Sequence, residues 1–212
     1  MNKIVGLFAF CILFVAACSL TKNDHKHDDV ISETTQELEE IVENDASDRT
    51  KSEKLHDASR NMVSDRLKNA NKSQADDSDK EYSAGVFAGQ YGRNVFALHE
   101  YCTSLGVNLS EFRDKYIKTH EQLYINANLI LNSRGSSVDD LYSKIKHTTK
   151  DYVEKEIKDM RGILNKNSGQ NIFTLADSCD YYNELSRDQS SMNSLQFSTS
   201  FPAAYEIIMN SN

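Results

Sequence analysis

The fifteen residues from 91 to 105, YGRNVFALHEYCTSL, decide the fold class of this chain. Their apolar side chains recur at spacings of four, three, four and three residues, at Tyr91, Val95, Leu98, Cys102 and Leu105. That spacing places them on one face of an amphipathic α-helix. Gly106 follows, and glycine is the residue that most often ends a helix in the left-handed conformation.

The same periodicity predicts three further long helices and a short last one. The long helices cover about residues 109–134, 138–167 and 171–187. After a polar stretch at 188–200, Pro202 can open the short helix. No segment shows the period-two alternation that indicates strands, and short connections between long helices favour antiparallel neighbours. Residues 84–212 are therefore predicted to form an all-α domain, an antiparallel four-helix-type bundle with a short C-terminal helix.

The segment before this domain is dense in charge. Residues 19–81 hold seventeen acidic and ten basic side chains and no aromatic one. Such a composition buries too little apolar surface to offset chain entropy, so it predicts a disordered, flexible acidic tether over residues 18–83. Two thin apolar stripes, around Leu38 and Leu55, could form short helices but no core of their own. Glycines at 85, 89 and 92 then suggest a flexible approach to the first helix.

The first eighteen residues have the plan of a secretory signal peptide. Lys3 gives a positive start, and the apolar run at residues 4–17 is too short to span a bilayer comfortably. Val15-Ala16-Ala17-Cys18 then resembles the lipobox of bacterial lipoproteins, an aliphatic residue and two small ones before a cysteine. The resemblance implies that residues 1–17 are a signal peptide that is removed, and that Cys18 becomes the lipidated first residue. Two or three acyl chains on one cysteine would anchor the protein firmly in a membrane.

The residue after the cysteine bears on where the anchor lies. In Gram-negative lipoproteins an aspartate there commonly signals retention in the inner membrane, and this chain has Ser19. The resemblance therefore implies an outer-membrane lipid anchor, with the domain facing the periplasm. Ordinary cleavage after Ala17 would instead give a soluble periplasmic protein, and exposure at the cell surface is a further alternative.

Cysteine arithmetic points to one internal disulfide. Cys11 leaves with the signal peptide and Cys18 carries lipid, so Cys102 and Cys179 remain as a pair in an oxidising compartment. Both lie on the apolar faces of their predicted helices. A disulfide between Cys102 and Cys179 is therefore predicted to join the first and fourth long helices.

Other residues with catalytic or metal-binding chemistry are few. His99 and His120 could join the two internal cysteines in a zinc site, or in a Cys–His nucleophile, as alternatives to the disulfide. The run DHKHDD at 24–29 offers ligands for zinc, copper or nickel, but a solvated polar linker is the favoured interpretation. The sequence contains no HExxH, CxxCH or GxSxG motif. We therefore predict no catalytic residue, no metal site and no cofactor.

The function predicted from these features is protein binding at the bacterial envelope. A net charge of −8 argues against nucleic acid as a partner, since no basic stripe is present to displace counterions. The predicted partners are the membrane, through lipid at Cys18, and an unidentified envelope protein. One form is similar in architecture to the helical pilotins that guide secretins to the outer membrane, and another is an immunity or inhibitor lipoprotein. A metal-dependent envelope enzyme and a passive envelope spacer are the alternatives.

Overall fold

A computed structural model describes Leu38 and residues 40–211. Within these residues all regular secondary structure is helical and no strand occurs, which confirms the predicted all-α class. From residue 51 to residue 211 the chain forms ten α-helices where the sequence predicts five. Two of the predicted segments are divided, one helix lies in the predicted tether, and two lie in the polar stretch at 188–200. The antiparallel four-helix order stays a prediction.

The helices follow one another with short connections. They are α1 (Lys51–Leu67), α2 (Asp77–Gly92), a π-helical segment (Arg93–Ala97), α3 (Leu98–Ser104), α4 (Ser110–Thr119), α5 (Glu121–Asn132), α6 (Val138–Ser168), α7 (Leu175–Arg187), α8 (Gln189–Ser194), α9 (Phe197–Ser200) and α10 (Pro202–Met209). Of these, α3 to α7 and α10 fall within segments that the sequence predicts as helical.

Helix α2 is the centre of the domain. Every residue from 82 to 95 is buried, as expected of a helix that α5, α6 and α10 contact on different sides. A Cβ atom on Gly92 would lie 2.3 Å from Cδ2 of Tyr142, so glycine is what permits this close approach of α2 to α6. The predicted flexible approach through the three glycines is therefore wrong, because all three lie in a packed helix.

The π-helical segment joins α2 to α3 without a break. Its signature is the bond from the Leu98 N–H to the carbonyl of Arg93, five residues back. At the far end Gly106 takes φ +81°, and the Val107 N–H returns to the carbonyl of Cys102 at 2.9 Å. The predicted C-terminal end of the first helix is thus confirmed, while its N-terminal end extends through α2.

The second predicted helix is interrupted at His120, between α4 and α5. The Phe197 N–H donates to Nε2 of His120 at 3.1 Å, and Nδ1 lies 2.9 Å from the carbonyl of Tyr116. A backbone N–H only donates, so Nε2 is the acceptor and Nδ1 carries the proton that is donated to Tyr116. His120 therefore fixes the junction of α4 and α5 against α9.

The stretch at 188–200, which the sequence marks only as polar, contains α8 and α9. The carboxylate of Asp188 caps α8 by accepting from the Ser191 N–H at 2.9 Å. Three apolar side chains within this polar stretch are buried: Met192, Leu195 and Phe197. They bring the chain back to α2 and to His120.

Helix α1 corrects the predicted tether. It begins with a capping box, in which the Thr50 hydroxyl accepts from the Glu53 N–H at 3.2 Å and the Glu53 carboxylate accepts from the Thr50 N–H at 2.8 Å. Its four buried apolar side chains join the main core: Leu55, Ala58, Val63 and Leu67. Residues 51–83 are therefore not a flexible tether, and the predicted domain boundary at residue 84 is too late. The few apolar side chains of α1 cannot form a core by themselves, but they are sufficient to pack against the core of the domain.

Candidate functional site beneath helix α1

A buried ion pair links three elements at the heart of the domain. Arg93 of the π-helical segment faces Glu156 of α6, with Nε 3.2 Å from Oε2 and Nη2 in contact with Oε1. Tyr182 of α7 donates its hydroxyl hydrogen to Oε1 at 2.6 Å and accepts from Nη2 of Arg93 at 2.9 Å. The side chains of Arg93 and Glu156 are only 2% and 0% exposed, so their charges meet almost no water. Each is stabilised by the other.

The electrostatics of this cluster raise the pKa of both Arg93 and Tyr182. Burial alone would lower the pKa of Arg93, but the negative charge of Glu156 and the hydroxyl of Tyr182 outweigh it and raise that pKa. Burial first, and then the charge of Glu156, raise the pKa of the Tyr182 phenol. The cluster therefore holds a neutralised pair and a protonated phenol, which suits a structural anchor better than an acid–base centre.

A small polar cavity adjoins the ion pair. It has a volume of about 10 Å³, room for about one water molecule. Its lining comes from α1, α2, the π-helical segment and the α8–α10 region: His56, Gln90, Arg93, Asn94, Leu195, Ser200 and Phe201. The amide of Gln90 donates to the carbonyl of Leu195 at 3.4 Å, while its buried Oε1 has no hydrogen-bond partner among the described residues.

His56 closes this cavity from the side of α1. Burial first, and then the positive charges of Arg60 and Arg93, lower the pKa of His56 to about 4, against the opposing effect of Asp57. The imidazole is therefore neutral at pH 7. Neutrality is what allows it to lie close to the buried guanidinium of Arg93.

A wider cleft opens outward from the same place. It holds about 440 Å³ between α1 and the turn from α9 into α10, which is within the range of ligand sites. Ser200 and Phe201 line both the cleft and the small cavity, so the two spaces are neighbours. Arg60 bridges the two walls by donating its Nε–H to the carbonyl of Ser200 at 3.2 Å. The cleft is the larger of these two spaces, and α1 supplies one of its walls.

The structure pairs the two internal cysteines as the sequence predicts. Cys102 of α3 and Cys179 of α7 form a disulfide with their Cα atoms 5.7 Å apart, and both are fully buried. His99 lies on α3, and His120 is committed to Tyr116 and Phe197 through both ring nitrogens. The alternative zinc site and the Cys–His nucleophile are therefore not assembled, since the thiols are consumed and one imidazole is fully hydrogen-bonded.

The described part of the chain adds two negative findings. Among Leu38 and residues 40–211, no group of three or more His, Cys, Asp or Glu side chains is placed to hold a metal ion. None of the helices in that same part is both long and apolar enough to cross a membrane. The predicted signal peptide, lipidated Cys18 and the DHKHDD run at 24–29 lie outside the described residues.

Comparison with protein-family models, with curated proteins and with solved structures finds no match to this chain. The functional argument therefore rests on its own residues and geometry.

Sequence reasoning missed the ion pair, and one signal for it was present. Glu156 lies four residues from both Tyr152 and Met160, which the periodicity of the third helix places on its buried face. A carboxylate on the buried face of a helix is expected to pair with a buried cation. Arg93 is a candidate, because it lies between Tyr91 and Val95 of the first predicted helix. The cleft had no such signal, because residues 49–64 and 200–203 are far apart in sequence.

Proposed function

We propose that this chain is a lipid-anchored lipoprotein of the bacterial envelope, whose helical domain binds another protein and catalyses no reaction. The observation that carries the proposal is Val15-Ala16-Ala17-Cys18 at the end of the apolar run at 4–17. A cysteine in that position has the sequence context for acylation. Ser19 in place of an aspartate favours the outer membrane as the site of the anchor.

The internal disulfide supports an extracytoplasmic location. Disulfides persist in oxidising compartments such as the periplasm, and Cys102 and Cys179 lie close enough to be joined. A buried disulfide between helices distant in sequence is characteristic of small domains that function outside the cytoplasm.

The chemistry of the interior supports binding rather than catalysis. Arg93, Glu156 and Tyr182 are engaged with one another and buried, so they offer no free acid, base or nucleophile to a substrate. Solvent can reach the concave surface of the cleft beside α1, which is lined by polar side chains of α1 and by the apolar side chains of Val63, Phe201, Pro202 and Ala203. Such a surface suits recognition of part of another molecule.

The anchor is tested by intact-mass spectrometry of the protein purified from membranes, beside a Cys18→Ser variant. We expect the native mass to correspond to a chain that starts at Cys18 and carries fatty acyl groups. The variant should lack acyl groups and retain residues 1–17, because the lipoprotein peptidase requires the modified cysteine. Cleavage of the variant after Ala17, with release into the soluble fraction, would instead show an ordinary secreted protein.

Binding is tested by crosslinking the anchored protein in intact cells and identifying what is recovered with it. A single stoichiometric protein partner is the expected result. Recovery of lipid and unrelated proteins in proportion to their abundance would contradict the binding function and favour the passive spacer.

A further inference from the structure

One face of α1 is polar and lines the solvent-accessible cleft. Asp57, Arg60, Asn61 and Ser64 recur at the three- and four-residue spacings of a helix face, and all four line the cleft. The opposite wall is formed by residues 200–203, which include the buried Phe201. The cleft therefore presents a row of polar groups to whatever enters it.

Arg60 is the group in this row with unused binding capacity. Its Nε–H is held by the carbonyl of Ser200, which fixes the guanidinium plane across the cleft. A guanidinium has five N–H donors, so four remain on its two terminal nitrogens. Among the described residues no carboxylate forms an ion pair with Arg60, whose side chain is exposed. A planar pair of terminal N–H groups matches the two oxygens of a carboxylate.

Among the described residues around the cleft, Arg60 is the cation without a carboxylate partner, although the two arginines and two aspartates here sum to zero charge. Arg49 is already paired with Asp45 at 2.8 Å and is in contact with Asp57 on its other side. Asp57 is therefore occupied, and Arg60 is the remaining cation in the lining. Helix α10 begins at Pro202 on the facing wall, so the positive end of its dipole adds weakly to the same potential.

We propose that the cleft between α1 and residues Ser200 to Ala203 is a carboxylate-binding site, in which the terminal nitrogens of Arg60 hold a carboxylate of a peptide partner. The inference rests on the proposed protein-binding function and names the chemistry that the partner presents. Asn61 follows Arg60 directly and Ser64 lies one turn further along α1, and both line the same cleft, so we expect them to contribute polar contacts to the neighbouring peptide groups. The carboxylate belongs either to the end of a chain or to an acidic side chain, and the two sources are separable by experiment.

The test measures fluorescence anisotropy of labelled peptides added to the full-length chain in detergent. Three probes are used: an alanine tetrapeptide with a free C-terminal carboxylate, the same tetrapeptide as its amide, and the amide with one alanine replaced by glutamate. We expect a dissociation constant below about 1 mM for at least one carboxylate probe, and at least tenfold weaker binding of the uncharged amide. The stronger of the two carboxylate probes identifies the source.

Two variants and a matched control assign the effect to Arg60. Arg60→Gln should weaken carboxylate binding by at least about tenfold, because a charge-assisted bidentate contact is lost. Asn61→Asp leaves the contact between Arg60 and Ser200 in place and should weaken binding by repulsion, which keeps the test valid if Arg60→Gln fails to fold. Arg113→Gln, at a half-buried arginine of α4 outside the cleft, should change binding less than about twofold.

Three results would contradict the proposal that the cleft binds a carboxylate. They are equal binding of the amide and carboxylate probes, equal losses in the Arg60 and Arg113 variants, and no binding of any probe up to about 1 mM. A crosslinked protein partner whose recovery is unchanged by Arg60→Gln would overturn the carboxylate site and leave the proposed function intact. Carboxylate binding without any crosslinked partner would support the site and contradict the proposed function.

Discussion

Helix α1 and the domain on which it packs are held by different kinds of interaction. The domain has a central helix buried on all sides, a disulfide between α3 and α7, and the Arg93–Glu156 pair in its interior. Helix α1 is held by four buried apolar side chains, by Arg60 on the carbonyl of Ser200, and by Arg66, which pairs with Asp79 at 2.7 Å. Its contacts are fewer, smaller and nearer to solvent.

This difference indicates two levels of stability in one chain. A seventeen-residue helix is marginal in water by itself, so α1 exists as a helix because it is docked. Undocking would open the small cavity and remove one wall of the cleft, whereas the interior contacts of α2, α6 and α7 would remain. We therefore expect α1 to open locally at a free-energy cost well below that of unfolding the domain.

The disulfide gives the largest expected effect on the domain. Removing it by the double substitution Cys102→Ala and Cys179→Ala should lower the free energy of unfolding by about 4.5 kcal/mol, because it closes a loop of 77 residues. Urea denaturation of the oxidised protein and of the variant measures the difference. Hydrogen exchange of the α1 amides should stay unchanged, and an acceleration there equal to that in α2 would show that α1 is not a separate unit.

Removal of one member of the Arg93–Glu156 ion pair is expected to lower the free energy of unfolding slightly less than removal of the disulfide does. Glu156→Ala should destabilise the domain by about 4 kcal/mol, because it leaves the buried charge of Arg93 without its partner and removes an acceptor from Tyr182. The double variant Arg93→Met with Glu156→Leu should recover most of that loss, since no buried charge is left. Thermal unfolding of both variants provides the measurement. A loss below about 1 kcal/mol in Glu156→Ala would mean that water reaches Arg93.

The helices that were predicted from the sequence are those with one solvent-exposed face and one buried face. Helices α3, α6 and α7 have solvent on one side, so their apolar residues repeat with the helical period. Their ends were marked as well, since Gly106 and Gly169 take the left-handed conformation after α3 and α6. The disulfide followed from counting cysteines, given a signal peptide and a lipobox.

The parts that were missed have no such contrast between faces. Residues 82–95 are all buried, so small, polar and large apolar residues are mixed around α2 and no single apolar face marks residues 77–90 as a helix. Helix α1 is the opposite case, with dense charge and four apolar side chains that pack only because α6 and α10 offer a surface. The cleft depends on both, because it is formed where α1 meets the turn before α10. The composition of a short stretch of sequence does not show that two segments distant in sequence will pack side by side.

Low pH should affect the two regions separately, through the buried His120 of the domain and the partly buried His56 of α1. Burial lowers the pKa of His120 to about 4, below its ordinary value of 6.5, so the native state keeps the ring neutral. The unfolded chain takes up a proton as the pH falls through 6.5, and the native state does so only near pH 4. The stability that the neutral ring provides is thus fully present above pH 6.5 and is lost as the pH falls to about 4, a change on the order of 3 kcal/mol.

The pH effect is measured by urea denaturation at pH 7 and pH 4.5. His120→Gln, which keeps a donor and an acceptor on the side chain, should reduce the pH dependence of global unfolding. His56 has its pKa lowered to about 4 in the same direction but lies on α1. His56→Gln should therefore reduce the pH dependence of hydrogen exchange in α1 and leave that of global unfolding nearly unchanged. The reverse assignment would place α1 within the cooperative unit.

The smallest effect compares two buried valines, one in each region. Val63 of α1 is 2% exposed and Val153 of α6 is 0% exposed, so each Val→Ala substitution removes similar apolar contacts. Each should cost about 1.5 kcal/mol, which corresponds to roughly tenfold faster exchange of the amides that open with that side chain. For Val63→Ala the acceleration should be confined to α1, whereas Val153→Ala should accelerate the slowest amides of α2, α6 and α7 together. Uniform acceleration in Val63→Ala would mean that α1 docks as firmly as the interior helices, and its wall of the cleft would then be as permanent as the other.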